Sequence, residues 1–186
     1  MQKVRAAFLD RDGVINSYLP QRYVETPDQL VILPGVARAI RRFNDAGILT
    51  IVISNQQGVA RNIMTPSALD LVTETMKYRL AAESDARLDA VYYCTHARDA
   101  GCSCRKPKPG MIIEALERFH IDPCDTIFVG DTETDLQAAR AARVGVVCLV
   151  LSGATHYFDA AKYGENPNRV FCDLDSVANW VLEERD

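Results

Sequence analysis

The sequence predicts an α/β protein: a doubly wound, Rossmann-like parallel sheet of about five strands with helices on both faces. Three observations predict it. Apolar, β-branched runs alternate with stretches of helical period along the chain. Runs such as "ILTIVIS" are apolar almost throughout, as strands covered on both faces must be. No internal repeat, low-complexity tract or linker interrupts the alternation. The 186 residues are expected to form one domain over 1–186, a size of chain that builds a sizeable core. No segment is long enough for an inserted cap domain.

Val4 to Leu9 is the first strand. Pro34 and Gly35 precede "VARAIRRFNDAG", an amphipathic helix closed by Gly47. Ile48 to Ser54 is the second strand. Thr65 and Pro66 read as an N-cap and first helical position, opening a long helix toward Glu83. "LDAVYYC" is the third strand, and Pro109 opens a helix through Phe119. Thr126 to Gly130 is the fourth strand, followed by a helix from Asp135 to Arg143, and "GVVCLVL" is the fifth. A short helix near Asp159, a possible strand at Arg169 to Cys172 and a helix from Asp175 to Glu184 complete the chain. Two connections are long for simple turns, Ser17 to Leu33 and Thr95 to Lys108, and long ordered loops are often functional.

Composition narrows the function classes. A net charge of −4 offers no basic footprint for nucleic acid, although a local pocket can still be positive on an acidic protein. No run reaches the length of a membrane span, and Met1 to Arg5 carry no signal-like apolar stretch. A cytoplasmic protein, monomeric and binding neither nucleic acid nor membrane, is expected. In a reducing compartment clustered cysteines point to metal rather than to disulfides. Of the six cysteines, Cys124, Cys148 and Cys172 are scattered and read as small core residues.

Ligands in such sheets bind outside the carboxyl ends of the strands. There the sequence concentrates its chemistry. Asp10 and Asp12 follow strand one, with Gly13 allowing a tight turn. Ser54 and Asn55 end strand two, Arg105 and Lys106 follow strand three, and Asp131 and Asp135 follow strand four. Carboxylates from two strands repel unless a cation sits between them, and Mg²⁺ is held by one or two carboxylates with phosphate and water. So screened, an aspartate can attack phosphorus. A hydroxyl and a lysine suit the non-bridging oxygens. A second aspartate two residues on can serve the leaving oxygen as acid and the hydrolytic water as base. The set fits hydrolysis of a phosphate monoester. A second constellation is Cys94, His96, Cys102 and Cys104 in "CTHARDAGCSC", a Cys₃His set that closes a structural zinc tetrahedron.

"DRDGV" at Asp10–Val14 resembles the first motif of the haloacid dehalogenase superfamily of phosphatases. "ISN" at Ile53–Asn55 resembles the second, Lys106 the third and "GDTETD" at Gly130–Asp135 the fourth. "NQQGVAR", "CRKPKPGM" and the cysteine cluster resemble, more narrowly, the bacterial D-glycero-D-manno-heptose-1,7-bisphosphate 7-phosphatase family. The resemblance implies Asp10 as nucleophile and Asp12 as general acid/base. It implies Mg²⁺ held by Asp10, the backbone carbonyl of Asp12 and Asp131. It places Ser54 and Lys106 on the transferred phosphoryl group, and Asn55, Arg61 and Arg105 on the rest of a small phosphorylated sugar, including a second phosphate. The five residues between His96 and Cys102 depart from the pattern of some heptose enzymes and are like the histidinol-phosphatase family, which is the alternative.

Blander readings compete at each position. Asp135 is a natural N-cap, expected to partner Lys106 rather than to ligate metal. Arg61 could be solvated. His120 suits a helix C-terminus and His156 has no assigned role. Tyr23 could face substrate or simply pack. A non-catalytic module that kept the fold would have no need of Asp12. A phosphatase acting on nucleic-acid ends would want a basic groove.

Overall fold

The computed structural model describes residues 3–161 and 163–183. Six strands form one parallel sheet in the order β3-β2-β1-β4-β5-β6: β1 Ala6–Leu9, β2 Leu49–Asn55, β3 Ala90–Cys94, β4 Thr126–Gly130, β5 Val146–Val150 and β6 Arg169–Phe171. The sixth strand is the one difference in count from expectation. Its three residues pair with β5, Cys148 opposite Arg169 and Val150 opposite Phe171. It is short and partly exposed, as an edge strand tolerates.

The buried strands explain themselves by alternation. Ala7 and Leu9 point to one face and Ala6 and Phe8 to the other, and all four are buried. Phe8 lies opposite both Ile51 of β2 and Phe128 of β4. Helices α1 (Val36–Asp45), α2 (Pro66–Ser84) and α5 (Leu174–Glu183) cover the first face, supplying Ile40, Phe43, Met76 and Val177 to its core. Helices α3 (Gly110–Phe119) and α4 (Glu133–Ala141) cover the second with Met111, Ile112 and Leu136. Among the described residues no inserted cap stands over the sheet, and no helix is long and apolar enough to cross a membrane.

Local signals behave largely as their chemistry requires. Thr65 caps α2 by accepting the Ala68 N–H at 3.1 Å, with Pro66 at the first helical position. His120 ends α3 in a left-handed conformation. Other expectations need correction. Helix α4 begins at Glu133, so Asp135 lies inside its first turn, not at the cap: Thr132 is the N-cap, and the Asp135 carboxylate accepts its N–H at 3.0 Å. The same helix ends at Ala141, with Arg143 left-handed at φ 60°. Among the described residues no helix forms near Asp159. There the Asp159 carboxylate accepts the Ala161 N–H, a local turn that competes with helix. Cys148 is buried as expected, but Cys124 and Cys172 are exposed, because they fall in the connections beside β4 and β6. The expected end of α5 at Glu184 lies outside the described residues.

The strand order decides where the site lies. Consecutive connections leave β1 toward β2 and β3 on one side, then return to β4 on the other. The ends of β1 and β4 therefore form the switch-point crevice of an open α/β sheet. Asp10 follows one and Asp131 the other, and the Asp10 N–H donates to the Val129 carbonyl of β4 at 3.0 Å.

Candidate active site and metal cluster

The four strand-end clusters read from the sequence converge. Asp10, Asp12, Ser54, Lys106, Asp131 and Asp135 line one cleft of about 600 Å³. Its centre is the Lys106 ammonium, 3.0 Å from Asp10 Oδ1, 2.6 Å from Asp135 Oδ1 and 2.9 Å from the Ile53 carbonyl, to which it donates. Burial disfavours its charge, yet the Asp10 and Asp135 carboxylates outweigh that and hold its pKa above the ordinary lysine value. Asn55 aims it: the side-chain oxygen accepts the Lys106 N–H and the amide donates to the Lys106 carbonyl, both at 3.1 Å. Asn55 also lines the cleft, where the substrate contact expected of it would be made.

Asp135 is occupied. It takes Lys106, the Thr132 hydroxyl at 2.6 Å and the N–H groups of Thr132 and Asp131 at 3.0 and 3.2 Å. It is the expected partner of Lys106. Its oxygens lie close enough to those of Asp10 and Asp131 to share an ion geometrically, and its Oδ1 has no hydrogen-bond partner beyond the Lys106 ion pair.

Asp131 is held from behind. Its Oδ2 accepts the Ala154 N–H at 2.5 Å, and the Ser152 hydroxyl ties the same connection to the Gly13 carbonyl at 2.7 Å. Gly13 sits at φ +89°, and a Cβ there, or at Gly153, would run into the Asp131 carboxylate. Asp131 Oδ1 is buried with no hydrogen-bond partner, an anomaly in a protein interior. Burial first, then the charges of Asp135 and Asp10, push the Asp131 pKa up to about 8. Asp10 is pushed up to about 6 by burial, against the pull of Lys106. Counted as charges, four carboxylates (Asp10, Asp12, Asp131, Asp135) face two buried cations, Lys106 and Arg11. The excess of two negative charges, the orphaned oxygen and the all-oxygen donor set fit a divalent hard cation.

Asp12 is different in kind. Burial works to raise its pKa, but the Arg11 guanidinium, Asn16 and Gln56 outweigh burial and lower it. Asn16 Nδ2 donates at 2.9 Å, Gln56 Nε2 at 2.8 Å and Arg11 Nη2 at 3.0 Å to each oxygen. The carboxylate is held by this cage and still lines the cleft. Gln56 also donates to the Ser54 hydroxyl at 3.2 Å, joining the expected phosphoryl contact to the same network.

The second constellation assembles beside the cleft. Sγ of Cys94 stands 3.7 Å from Sγ of Cys102 and 3.3 Å from that of Cys104, and His96 Nδ1 lies 3.6 Å from Cys94 and 3.2 Å from Cys104. All four ligand atoms fall within 4.8 Å of one another. Thiolates bound at about 2.3 Å in a tetrahedron stand roughly 3.8 Å apart, so the cluster has the dimensions of a four-coordinate soft-metal site. Burial, with Cys94 and Cys102 beside it, pushes Cys104 up to about 12. A metal would reverse that by taking the thiolate.

Arg61 is exposed and lines the main cleft. Arg105 lies in an adjoining cleft of about 700 Å³, which shares Tyr18, Asn55 and Lys106 with the first, and its Nη1 is buried without a partner. Sequence reasoning missed Arg22 in the main cleft and Arg98 in the adjoining one. Among the described residues no carboxylate pairs with any of these four arginines. Both missed residues lie on the two long connections, which was the one available signal. Tyr23 does both things expected of it: it lines the cleft and packs its ring on Gly58.

Comparison with known proteins bears on this arrangement. A family model described as HAD-hydrolase-like matches residues 103–177. D-glycero-beta-D-manno-heptose-1,7-bisphosphate 7-phosphatase of Escherichia coli K12 is 40% identical over 97% of this chain and 90% of its own. The chain belongs to the heptose-bisphosphate phosphatase family. The Salmonella typhi member of the family is 37% identical over the same share of this chain. Among solved structures, the family member from B. bronchiseptica, crystallised with magnesium and phosphate, superposes with a TM-score of 0.90 at 35% identity, covering 97% of this chain and 99% of that one. The family member from Burkholderia thailandensis has a TM-score of 0.71 at 34% identity and covers 96% and 98%.

The close approach at Gly13 yields a direct test. In Gly13→Ala the added methyl must displace Asp131 or strain a left-handed backbone, a strain of about 1–3 kcal/mol. With magnesium as probe, wild type should melt higher as the ion is added, because an ion that binds only the folded state stabilises it. Gly13→Ala should keep its far-ultraviolet circular dichroism and lose most of that rise. An undiminished rise would show that Asp131 does not contribute to the ion site.

Proposed function

We propose that this phosphatase removes the 7-phosphate of D-glycero-D-manno-heptose 1,7-bisphosphate through an aspartyl-phosphate on Asp10. The observation that carries the reading is the pairing of two unlike sites: a carboxylate crevice with one buried lysine, and beside it arginines that have no carboxylate partner among the described residues. The first suits a transferring phosphoryl group and the second a phosphate that stays on the product. The family relatives named above for this substrate support it.

Mg²⁺ is the hard cation that fits Asp10, Asp131 and the backbone carbonyl of Asp12, and when bound it offsets the charge of nucleophile and phosphate. Lys106 and the Ser54 hydroxyl hold the non-bridging oxygens. Asp12 is held as a carboxylate in the free site and takes up the proton of the bound phosphate monoester monoanion. Asp10 then forms a bond to phosphorus while the ester bond breaks, and Asp12 gives that proton to the departing sugar oxygen. Water then attacks phosphorus and passes a proton to Asp12. The Asp10–phosphorus bond breaks, restoring the carboxylate and releasing inorganic phosphate. Zinc at Cys94, His96, Cys102 and Cys104 closes a structural site. The loop it ties runs directly into Arg105 and Lys106, so it holds the cations of both sites in place.

The alternative substrate, histidinol phosphate, has no second phosphate. Phosphate release from both compounds should favour the heptose bisphosphate, and Arg105→Ala should lower kcat/KM for the bisphosphate about ten- to a hundredfold, the effect of one charge-assisted contact, while a monophosphate changes little. Higher kcat/KM for histidinol phosphate, or equal loss on both, would replace this reading.

The metal cluster has its own test. Purified, unchelated protein should hold one zinc per chain by elemental analysis. Cys102→Ser should lose the zinc and most turnover while the sheet stays folded, and excess Mg²⁺ should not restore activity. Zinc well below one equivalent in wild type, or a fully active Cys102→Ser, would overturn this role.

A further inference from the structure

Arg11 is the largest completely buried side chain among the described residues. It lies between the two aspartates of the first motif, on an acidic chain, with its Nη1 buried and without a hydrogen-bond partner. A buried ion pair is weak evidence for stability, since apolar replacements of similar volume are often neutral or better. The geometry shows what else the residue does. Nη2 donates to both oxygens of Asp12 at 3.0 Å, and Nε reaches Oδ1 at 3.3 Å. The guanidinium lies 5.7 Å from the centre of the Tyr93 ring. The Tyr93 hydroxyl in turn accepts the Thr73 hydroxyl of α2 at 3.1 Å. The orientation of Asp12 is thus anchored through a rigid fork to β3 and α2, elements that carry no reacting group.

We propose that Arg11 is a positioning residue for proton transfer: its planar fork fixes the plane and reach of the Asp12 carboxyl group toward the leaving-group oxygen. The inference rests on the acid/base role given to Asp12 above. Arg is suited to the task where Lys is not, because a fork sets orientation and an ammonium sets only distance. Asn16 and Gln56 complete the hold from the other sides.

The consequence is a dependence on the leaving group. A sugar alkoxide must take a proton as its bond to phosphorus breaks; a nitrophenolate leaves without one. A residue that aims the proton donor should therefore matter for the first and hardly for the second. Misplacement of about 1 Å costs on the order of a hundredfold. The quantity to follow is kcat/KM, which reports the steps up to phosphoenzyme formation and omits its hydrolysis.

The experiment compares wild type, Arg11→Met, Arg11→Lys, Asp12→Asn and the double variant Arg11→Met/Asp12→Asn on a sugar phosphate and on p-nitrophenyl phosphate, with thermal melting to establish folding. Arg11→Met should lower kcat/KM for the sugar phosphate about ten- to a hundredfold and that for the aryl ester less than about threefold. Arg11→Lys keeps the buried cation, so it remains informative if the methionine variant does not fold, and it should show the same selectivity in weaker form. In the Asp12→Asn background the Arg11 change should add no further selectivity, the signature of two groups acting as one. Equal losses on both esters in folded Arg11 variants, with Asp12→Asn selective, would overturn the role of Arg11 alone. Equal losses in Asp12→Asn would overturn the acid role of Asp12 and this inference with it.

Discussion

The Lys106 ammonium, shared between Asp10 and Asp135 and capped by the Ile53 carbonyl, is the interaction on which the site depends. It ties the ends of β1, β2 and β4 to the loop after β3 with one charge. Breaking a buried pair from one side costs about 3–5 kcal/mol, because the remaining charge is stranded. Lys106 therefore cannot move without cost to Asp10 and Asp135 together. It neutralises Asp135 and part of the charge on Asp10, but nothing on the far side of Asp131. That asymmetry leaves an unpartnered oxygen on Asp131 among carboxylates close enough to share a cation.

Around this centre the two acids of the first motif are given opposite surroundings. Burial, opposed in part by Lys106, raises Asp10, whereas Arg11, Asn16 and Gln56 hold Asp12 down. Two carboxylates two residues apart are thereby given opposite electrostatic surroundings by their neighbours. The cysteine–histidine cluster acts one step further out. It lies on the segment that carries Lys106 inward and Arg105 toward the neighbouring cleft, so the cluster and the cleft are joined through one loop.

Most of the fold was legible because a parallel sheet covered on both faces leaves unbroken apolar runs, as in Ile51, Val52 and Ile53. The sixth strand was ambiguous because an exposed edge of three residues carries little of that pattern. The start of α4 was misplaced because Asp135 has the chemistry of a cap, while Thr132 three residues earlier takes the position. The strand-end clusters were legible as a set, since the topology brings every strand's carboxyl end to one edge. Arg11 was not legible: residue type and spacing gave it no role, and only the fold reveals it as buried. Arg22 and Arg98 sit on connections whose path no periodicity specifies. Cys124 and Cys172 were read as core from residue type alone, although each lies in a turn region beside a strand, where burial depends on what covers it.

In the proposed mechanism an Asp10 carboxylate oxygen forms the new bond to phosphorus. Wild type mixed with substrate for milliseconds, quenched in acid and digested should yield the peptide carrying Asp10 with one added phosphoryl group, and Asp10→Asn should yield none. Turnover that proceeds with no phosphorylated peptide under conditions that preserve acyl phosphates, or with phosphate on a different side chain, would contradict it.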